Sequence, residues 1–285
     1  MALAPGMSDS PRDGGPQDGL SGTARPWRPA IAVQFSIVIH LAALLALLFR
    51  PAWWPWVVAV LVANHLALGL IGMWPRSRLL GDNIIRLPDA AARRGEIALT
   101  FDDGPHPEVT PKVLDILDRY GATASFFCVG NKAAAHPDIV RDIVRRGHGI
   151  ENHSMRHSAF FGFYGPAALR REIAAAQSVL GDIARHPPRF FRSPMGIRNP
   201  MLDPVVTRMG LHYISWTRRG FDTVARDPVD VLERLTDGLA AGDILLLHDR
   251  CSVHGEPIVL TVLPALLEKL SLADLKPVSL TMAMR

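Results

Sequence analysis

Two uncharged stretches near the N-terminus constrain this chain more than any other feature. No charged residue occurs from Ala30 to Phe49, Arg50 and Pro51 interrupt, and a second uncharged run extends from Ala52 to Trp74. About 20 apolar residues at roughly 1.5 Å per residue cross a hydrocarbon core of about 30 Å. Each run is therefore long enough to span, and so short an interruption makes the pair a transmembrane helical hairpin over residues 30–75. Trp53, Trp54 and Trp56 open the second run and Trp74 closes it, as an interfacial aromatic belt requires. A cleaved signal peptide has a shorter apolar stretch followed by a polar mature start. A soluble helical hairpin needs polar faces that these runs lack. His40, Asn64 and His65 are the notable polar groups inside them; hydrogen bonding between the helices is a simpler reading than a function within the membrane.

A hairpin returns the chain to the side it left. Arg12, Arg25 and Arg28 precede it, Arg76, Arg78 and Arg86 follow it, and only Arg50 lies in the turn. The positive-inside rule then puts the tail and the C-terminal domain in the cytoplasm, at the inner (plasma) membrane. Residues 1–29, rich in Gly, Pro, Ser, Asp and Ala, read as a disordered tail, and residues 76–94 as a linker. With 31 basic against 27 acidic residues the net charge is only +4, and no basic stripe interleaved with aromatics is present, which argues against a nucleic-acid partner. Two cysteines, Cys128 and Cys251, exclude a disulfide framework and a multi-cysteine zinc module.

From about Gly95 to residue 283, short β-branched or aromatic runs alternate with amphipathic helical ones. The strand readings are Glu96–Phe101, Ala124–Val129, His148–Asn152, Arg189–Arg192, Leu211–Trp216, Asp243–His248 and Pro277–Met282. Between them the helices are Thr110 to Gly121, Pro137–Arg146, Pro166–Arg185, Pro200–Met209, Val229–Ala241 and Pro257–Leu270, with Pro at helix starts and Gly just beyond several ends. Strands separated by helices predict parallel βα units, an α/β class in which neither a doubly wound sheet nor a barrel is excluded by count.

The polar residues with catalytic chemistry fall at the carboxyl ends of these strands: Asp102 and Asp103, His153 and His157, Arg192, Trp216 with Asp222 beyond it, and His248–Asp249. In a parallel α/β architecture those ends share the face where active sites form. If helical, the His153/His157 spacing puts both imidazoles on one side, able to grip one divalent cation with a carboxylate from Asp102 or Asp103. The spare carboxylate could take a proton from the attacking water, and His248 could donate one to the leaving group. Bland alternatives exist for each: a solvated helix face for the histidines, turn chemistry for Asp-Asp-Gly-Pro, and a hydrogen-bonded core histidine for His248.

Taken together, TFDDGPHPEVTPKVLDILDRYGATASFFCVG (Thr100–Gly130), GHGIENHSMRH (Gly147–His157), RSPMG (Arg192–Gly196) and ILLLHD (Ile244–Asp249) resemble the polysaccharide deacetylase family, the NodB-homology domain of carbohydrate esterase family 4. The resemblance implies a distorted (β/α)7-type barrel, a divalent metal, usually zinc, and hydrolysis of an N-acyl or sometimes O-acyl group on a sugar. It implies Asp102 as general base, Asp103, His153 and His157 as metal ligands, and Arg192 as the residue that holds the base. It also implies the Met195 backbone N–H as oxyanion donor, His248 as general acid, and Asp222 as the acid supporting His248 or Arg192. Ser158 stands where the family usually has proline, Met195 where an aromatic is usual, Arg219 where an acid is customary, and Thr223 where an aromatic follows.

The expectation is a membrane-anchored, metal-dependent hydrolase that removes an N-acyl group, acetyl above all, from an amino sugar in a membrane-associated saccharide or glycolipid. Two alternatives stand beside it: a deformylase of a lipid-linked formamido sugar, and a catalytically silent saccharide-binding membrane module.

Overall fold

The computed structural model describes residues 25–255 and 257–285; the expected tail before residue 25 lies outside the described residues. Helix α1 (Ile31–Phe49) and helix α2 (Trp54–Gly72) form an antiparallel pair joined by a single 3-10 turn at Pro51–Trp53. Pro51 explains the break, because a residue before proline is driven out of helical geometry, and Arg50 sits at φ −142°. The polar groups inside the pair are satisfied there. Asn64 donates to Ser36 Oγ across the helices at 2.9 Å, and His40 and His65 each place Nδ1 within 2.8 Å of a carbonyl one turn earlier. Most of the remaining side chains face outward, and both helices are long and apolar enough to cross a membrane.

Both ends of the pair rest on the rest of the chain. Before α1, the Trp27 indole donates to Asp203 at 2.7 Å and Arg25 to the Leu211 carbonyl at 2.9 Å. After α2, the Gly72 carbonyl accepts from the Arg198 N–H at 3.0 Å. Residues 76–94, read from sequence as a linker, differ from a free spacer. Leu80, Leu87 and Ala91 are buried, helix α3 (Asp89–Arg93) forms, and Ile84 pairs with Ile214 at the sheet edge. Their apolar side chains cover core surface that would otherwise meet water, a hydrophobic gain that a solvated linker forgoes.

The body is built on strands β1 (Glu96–Asp102), β2 (Ser125–Cys128), β3 (Gly149–Asn152), β4 (Phe190–Phe191), β5 (His212–Tyr213), β6 (Arg218–Arg219), β7 (Ile244–His248) and β8 (Lys276–Val278). All pairings are parallel, in the order β5-β4-β3-β2-β1-β7-β6, with β8 beside the first half of β1. Helices α4 (Thr110–Arg119), α5 (Gly130–Ala135), α6 (Pro137–Arg145), α7 (Pro166–Ala184), α8 (Leu202–Arg208), α9 (Pro228–Thr236), α10 (Val259–Leu272) and α11 (Leu280–Ala283) complete the chain. No pairing closes β5 onto β6 among the described residues, so the expected distorted barrel is a half-barrel.

Alternation along β1 decides what faces the site. Ile97, Leu99 and Phe101 pack outward against Val113, Leu114 and Leu117 of α4 and Val262, Leu263 and Leu266 of α10. The side-chain period of two turns Ala98, Thr100 and Asp102 to the concave side, where Ala98 meets Phe127, Phe190, Ile214 and Ile244. Two strand readings needed correction, and one strand escaped the sequence reading. The run 211–216 pairs in β5 only at His212–Tyr213, while Ile214 pairs with Ile84 outside it, and 218–219 make a separate β6. The last strand stops at Val278, because Ser279 accepts from the Met282 N–H and caps α11.

Candidate active site

The carboxyl ends of β1, β3, β4 and β7 open into one cavity of about 130 Å³. Asp102, Asp103, His153, His157, Met195, Trp216 and His248 all line it, so the residues singled out from sequence converge. Arg192 and Asp222 stand directly behind it. Gly196, Arg219, Thr223, Leu246 and Arg250 complete the wall. Arg250 and Lys132, whose Nζ donates to the Asp103 carbonyl at 2.7 Å, escaped the sequence reading; only their closeness to the aspartate and histidine motifs could have flagged them.

Asp102 ends β1 and is almost wholly buried, a costly place for a carboxylate without a partner. The fully buried Arg192 supplies one, donating to Asp102 Oδ1 at 2.6 Å. The same guanidinium donates to Thr100 Oγ1 and to the Ser215 carbonyl, with its face 4.1 Å from the centre of the Phe127 ring. Asp102 Oδ2 is left toward the cavity, 3.9 Å from His153 Nε2.

Asp103 leaves the strand with φ 73°, which turns its side chain to the histidines rather than along the strand. Its Oδ1 lies 3.4 Å from His153 Nε2 and 3.0 Å from His157 Nε2, and its Oδ2 lies 3.2 Å from Arg250 Nε. The histidines do not sit on a helix as the i, i+4 reading supposed. Ser154 and His157 have positive φ (65° and 51°), Ser154 N–H bonds to Asn152 Oδ1, and Ser154 Oγ accepts from His157 N–H. A tight loop therefore brings the two rings to 5.0 Å. Such backbone costs on the order of 1–3 kcal/mol per residue and persists where the surroundings over-determine it.

The donor set fits a metal ion. One ligand atom each from Asp103, His153 and His157 lie within 4.8 Å of one another. His153 Nδ1 is 2.8 Å from the Arg192 carbonyl, which can only accept, so Nδ1 carries the proton and the neutral ring turns the Nε2 lone pair toward Asp103. A lone pair facing an ionised carboxylate calls for a cation between them, and a carbonyl orienting the far nitrogen is the usual support for a ligating histidine.

His248 ends β7 beside Asp102 in register. Asp222 grips it twice, Oδ1 2.8 Å from Nδ1 and Oδ2 accepting the His248 backbone N–H at 2.8 Å. Burial disfavours the imidazolium, yet the charge and hydrogen bond of Asp222, with Asp103 and Asp102 farther off, raise the His248 pKa above its ordinary value. Met195 (φ 57°) and Gly196 (φ 72°) make a left-handed turn at the cavity wall, and Gly196 lies so close to Trp216 and Pro75 that a Cβ there would come within 2.6 Å of the indole. Cys128 is buried, which raises its thiol pKa well above normal.

A parallel half-barrel whose central strand carries paired aspartates opposite two histidines sets a candidate metal cluster beside a buried Asp102–Arg192 pair. Residues 89–214 match the family model for polysaccharide deacetylase. The chitooligosaccharide deacetylase of Azorhizobium caulinodans is 36% identical over 55% of this chain and 75% of its own length. A peptidoglycan-N-acetylglucosamine deacetylase of Bacillus cereus is 32% identical over 54% of this chain and 72% of its own. Among solved structures, a family 4 acetyl xylan esterase from Clostridium thermocellum in complex with a cobalt ion superposes with a TM-score of 0.60 at 29% identity, covering 66% of this chain and 89% of that one. The chain belongs to the polysaccharide deacetylase family, carbohydrate esterase family 4, and is a hydrolase of linear amide bonds.

Proposed function

We propose that this protein removes the acetyl group from N-acetylglucosamine-type residues of a membrane-associated saccharide or glycolipid. The observation that carries the reading is the pair at the end of β1: Asp102 tied to buried Arg192, Asp103 turned to His153 and His157. Asp103, His153 and His157 would hold a divalent cation, zinc by preference for two imidazoles and a carboxylate. When bound, it would supply Lewis acidity that acidifies water and polarises the acyl oxygen.

The chain's own groups account for the rest. Asp102 takes a proton from water through Oδ2 while Arg192 fixes Oδ1. The water oxygen bonds to the acyl carbon, and the Met195 backbone N–H stabilises the negative charge that develops on the acyl oxygen. His248, held at Nδ1 by Asp222, presents Nε2 and gives a proton to the sugar nitrogen as the C–N bond breaks, leaving acetate and a free amine.

Membrane placement rests on the exposed apolar pair α1 and α2, whose two ends both meet the catalytic body. An apolar cavity of about 690 Å³ lies between α2 and the loops around Phe163 and Met201, which suits a substrate with a hydrocarbon part. The arginine distribution around the hairpin favours a cytoplasmic catalytic body at the inner membrane, and reporter fusions after Arg285 test it: a periplasm-only reporter that is active there overturns it. For the chemistry, the full chain in detergent should release acetate from N-acetylated glucosamine oligomers and contain metal. A folded protein with neither property sinks the reading.

A further inference from the structure

Arg219 is a cation in the wall of the catalytic cavity with nothing to neutralise it. The other arginines around it are committed: Arg192 to Asp102, Arg218 to Asp243, Arg250 to Asp103. No described carboxylate pairs with Arg219, and its Nε is buried without a hydrogen-bond partner. Asp222, three residues on, is no candidate, since both its oxygens are taken by His248.

The side chain is nonetheless held. Strand β6 places Arg219 opposite Leu246 of β7, two residues before His248. The guanidinium lies 5.4 Å from the Trp216 ring centre and 4.8 Å from that of Phe221. Aromatic rings cover the faces of a guanidinium and leave its edge, where the N–H donors sit, able to take two oxygens of one anion side by side. A neutral sugar would leave that edge poorly used beside the reacting amide.

We infer that Arg219 is a specificity-determining residue, which binds an anionic oxygen group, phosphate or carboxylate, carried by the substrate next to the acylated sugar. This rests on the deacetylase reading and sharpens it: the substrate is an acidic saccharide. Neutral chitin-like oligomers would be its poorer ligands.

The test is equilibrium binding to the full chain in detergent micelles, with N-acetylglucosamine, N-acetylglucosamine 1-phosphate and N-acetylmuramic acid as probes. At least one acidic probe should bind roughly 10- to 100-fold more tightly than the neutral sugar, the range expected of a charge-assisted pair. Added salt should narrow the gap. A preference for the phosphate probe identifies a sugar phosphate, and a preference for the other identifies a carboxylate. In Arg219→Gln the gap should close, and in Arg219→Lys, which keeps the charge without the fork, it should persist in part. Equal binding of all three probes by the unaltered protein, or a gap that survives in folded Arg219→Gln, overturns the assignment. Acetate release, measured separately, reports on the deacetylase reading, since the binding gap does not require turnover.

Discussion

Arg192 and Asp102 form an ion pair at 2.6 Å with the guanidinium wholly out of solvent. Removing one member of such a pair leaves a buried charge uncompensated, which costs about 3–5 kcal/mol. Arg192→Met should therefore lower stability by that amount in denaturant melts. In whatever fraction remains folded, losing the orientation of Asp102 should reduce kcat/KM by about 10²-fold or more. Unchanged activity in the folded variant would remove Asp102 from the role of base.

The pair His248–Asp222 sets a pH dependence. The folded pKa of His248 lies above its ordinary value because Asp222 outweighs burial. Its imidazolium therefore stabilises the fold fully below about pH 6.5, and that contribution is lost as pH rises through the raised folded pKa. The alkaline limb of kcat/KM should follow the same titration. Asp222→Asn keeps the shape and removes the charge, so the limb should move to lower pH; a limb that stays in place would take the acid role from His248.

Glu151 is buried and accepts the backbone N–H groups of Arg189 and Phe190. Burial raises its pKa to about 8, against the pull of those hydrogen bonds and of the Arg189 and Arg192 charges. The protonated carboxyl is thus favoured in the fold, and its contribution declines as pH rises from near 4.5 through about 8. Thermal melts should show Tm falling across that window, with Glu151→Gln flattening the slope.

The ligand cluster Asp103, His153 and His157 should bind one divalent ion per chain. Chelation should abolish acetate release and lower Tm, since a ligand held only by the folded state stabilises it. His157→Ala should lose the metal on elemental analysis, and re-addition of zinc should not restore it.

Gly196→Ala should be poorly tolerated despite adding one methyl group. The position has φ 72°, and the new Cβ would lie 2.6 Å from the Trp216 ring and 3.0 Å from Pro75. We expect about 1–3 kcal/mol of lost stability and a reduced kcat, because Met195 next to it must move.

Much of the site is legible in the order of the amino acids. Strand ends are readable from β-branched runs, and in parallel architecture they share a face, so Asp102, His153, Arg192 and His248 can be gathered from residue type and position alone. His153 and His157 come together for a different reason than spacing suggests. A loop with two left-handed residues brings them together, and no helical period records such a turn. Residues 76–94 mislead because charged residues punctuate them as they would a spacer, while the apolar side chains at 80, 84, 87 and 91 do the packing. Arg219 stands out in sequence only as an unexpected residue type; its lack of a counter-ion depends on where Asp222 and Asp243 point.

The hydrogen bond from Arg198 to the last turn of α2, together with Pro75 against Gly196, bears on how the enzyme should be prepared. Trimming the chain at residue 76 to obtain a detergent-free preparation would strip away the floor on which the Met195–Gly196 turn rests. Kinetic work is better done on the intact polypeptide, with the greasy helices kept in micelles or nanodiscs.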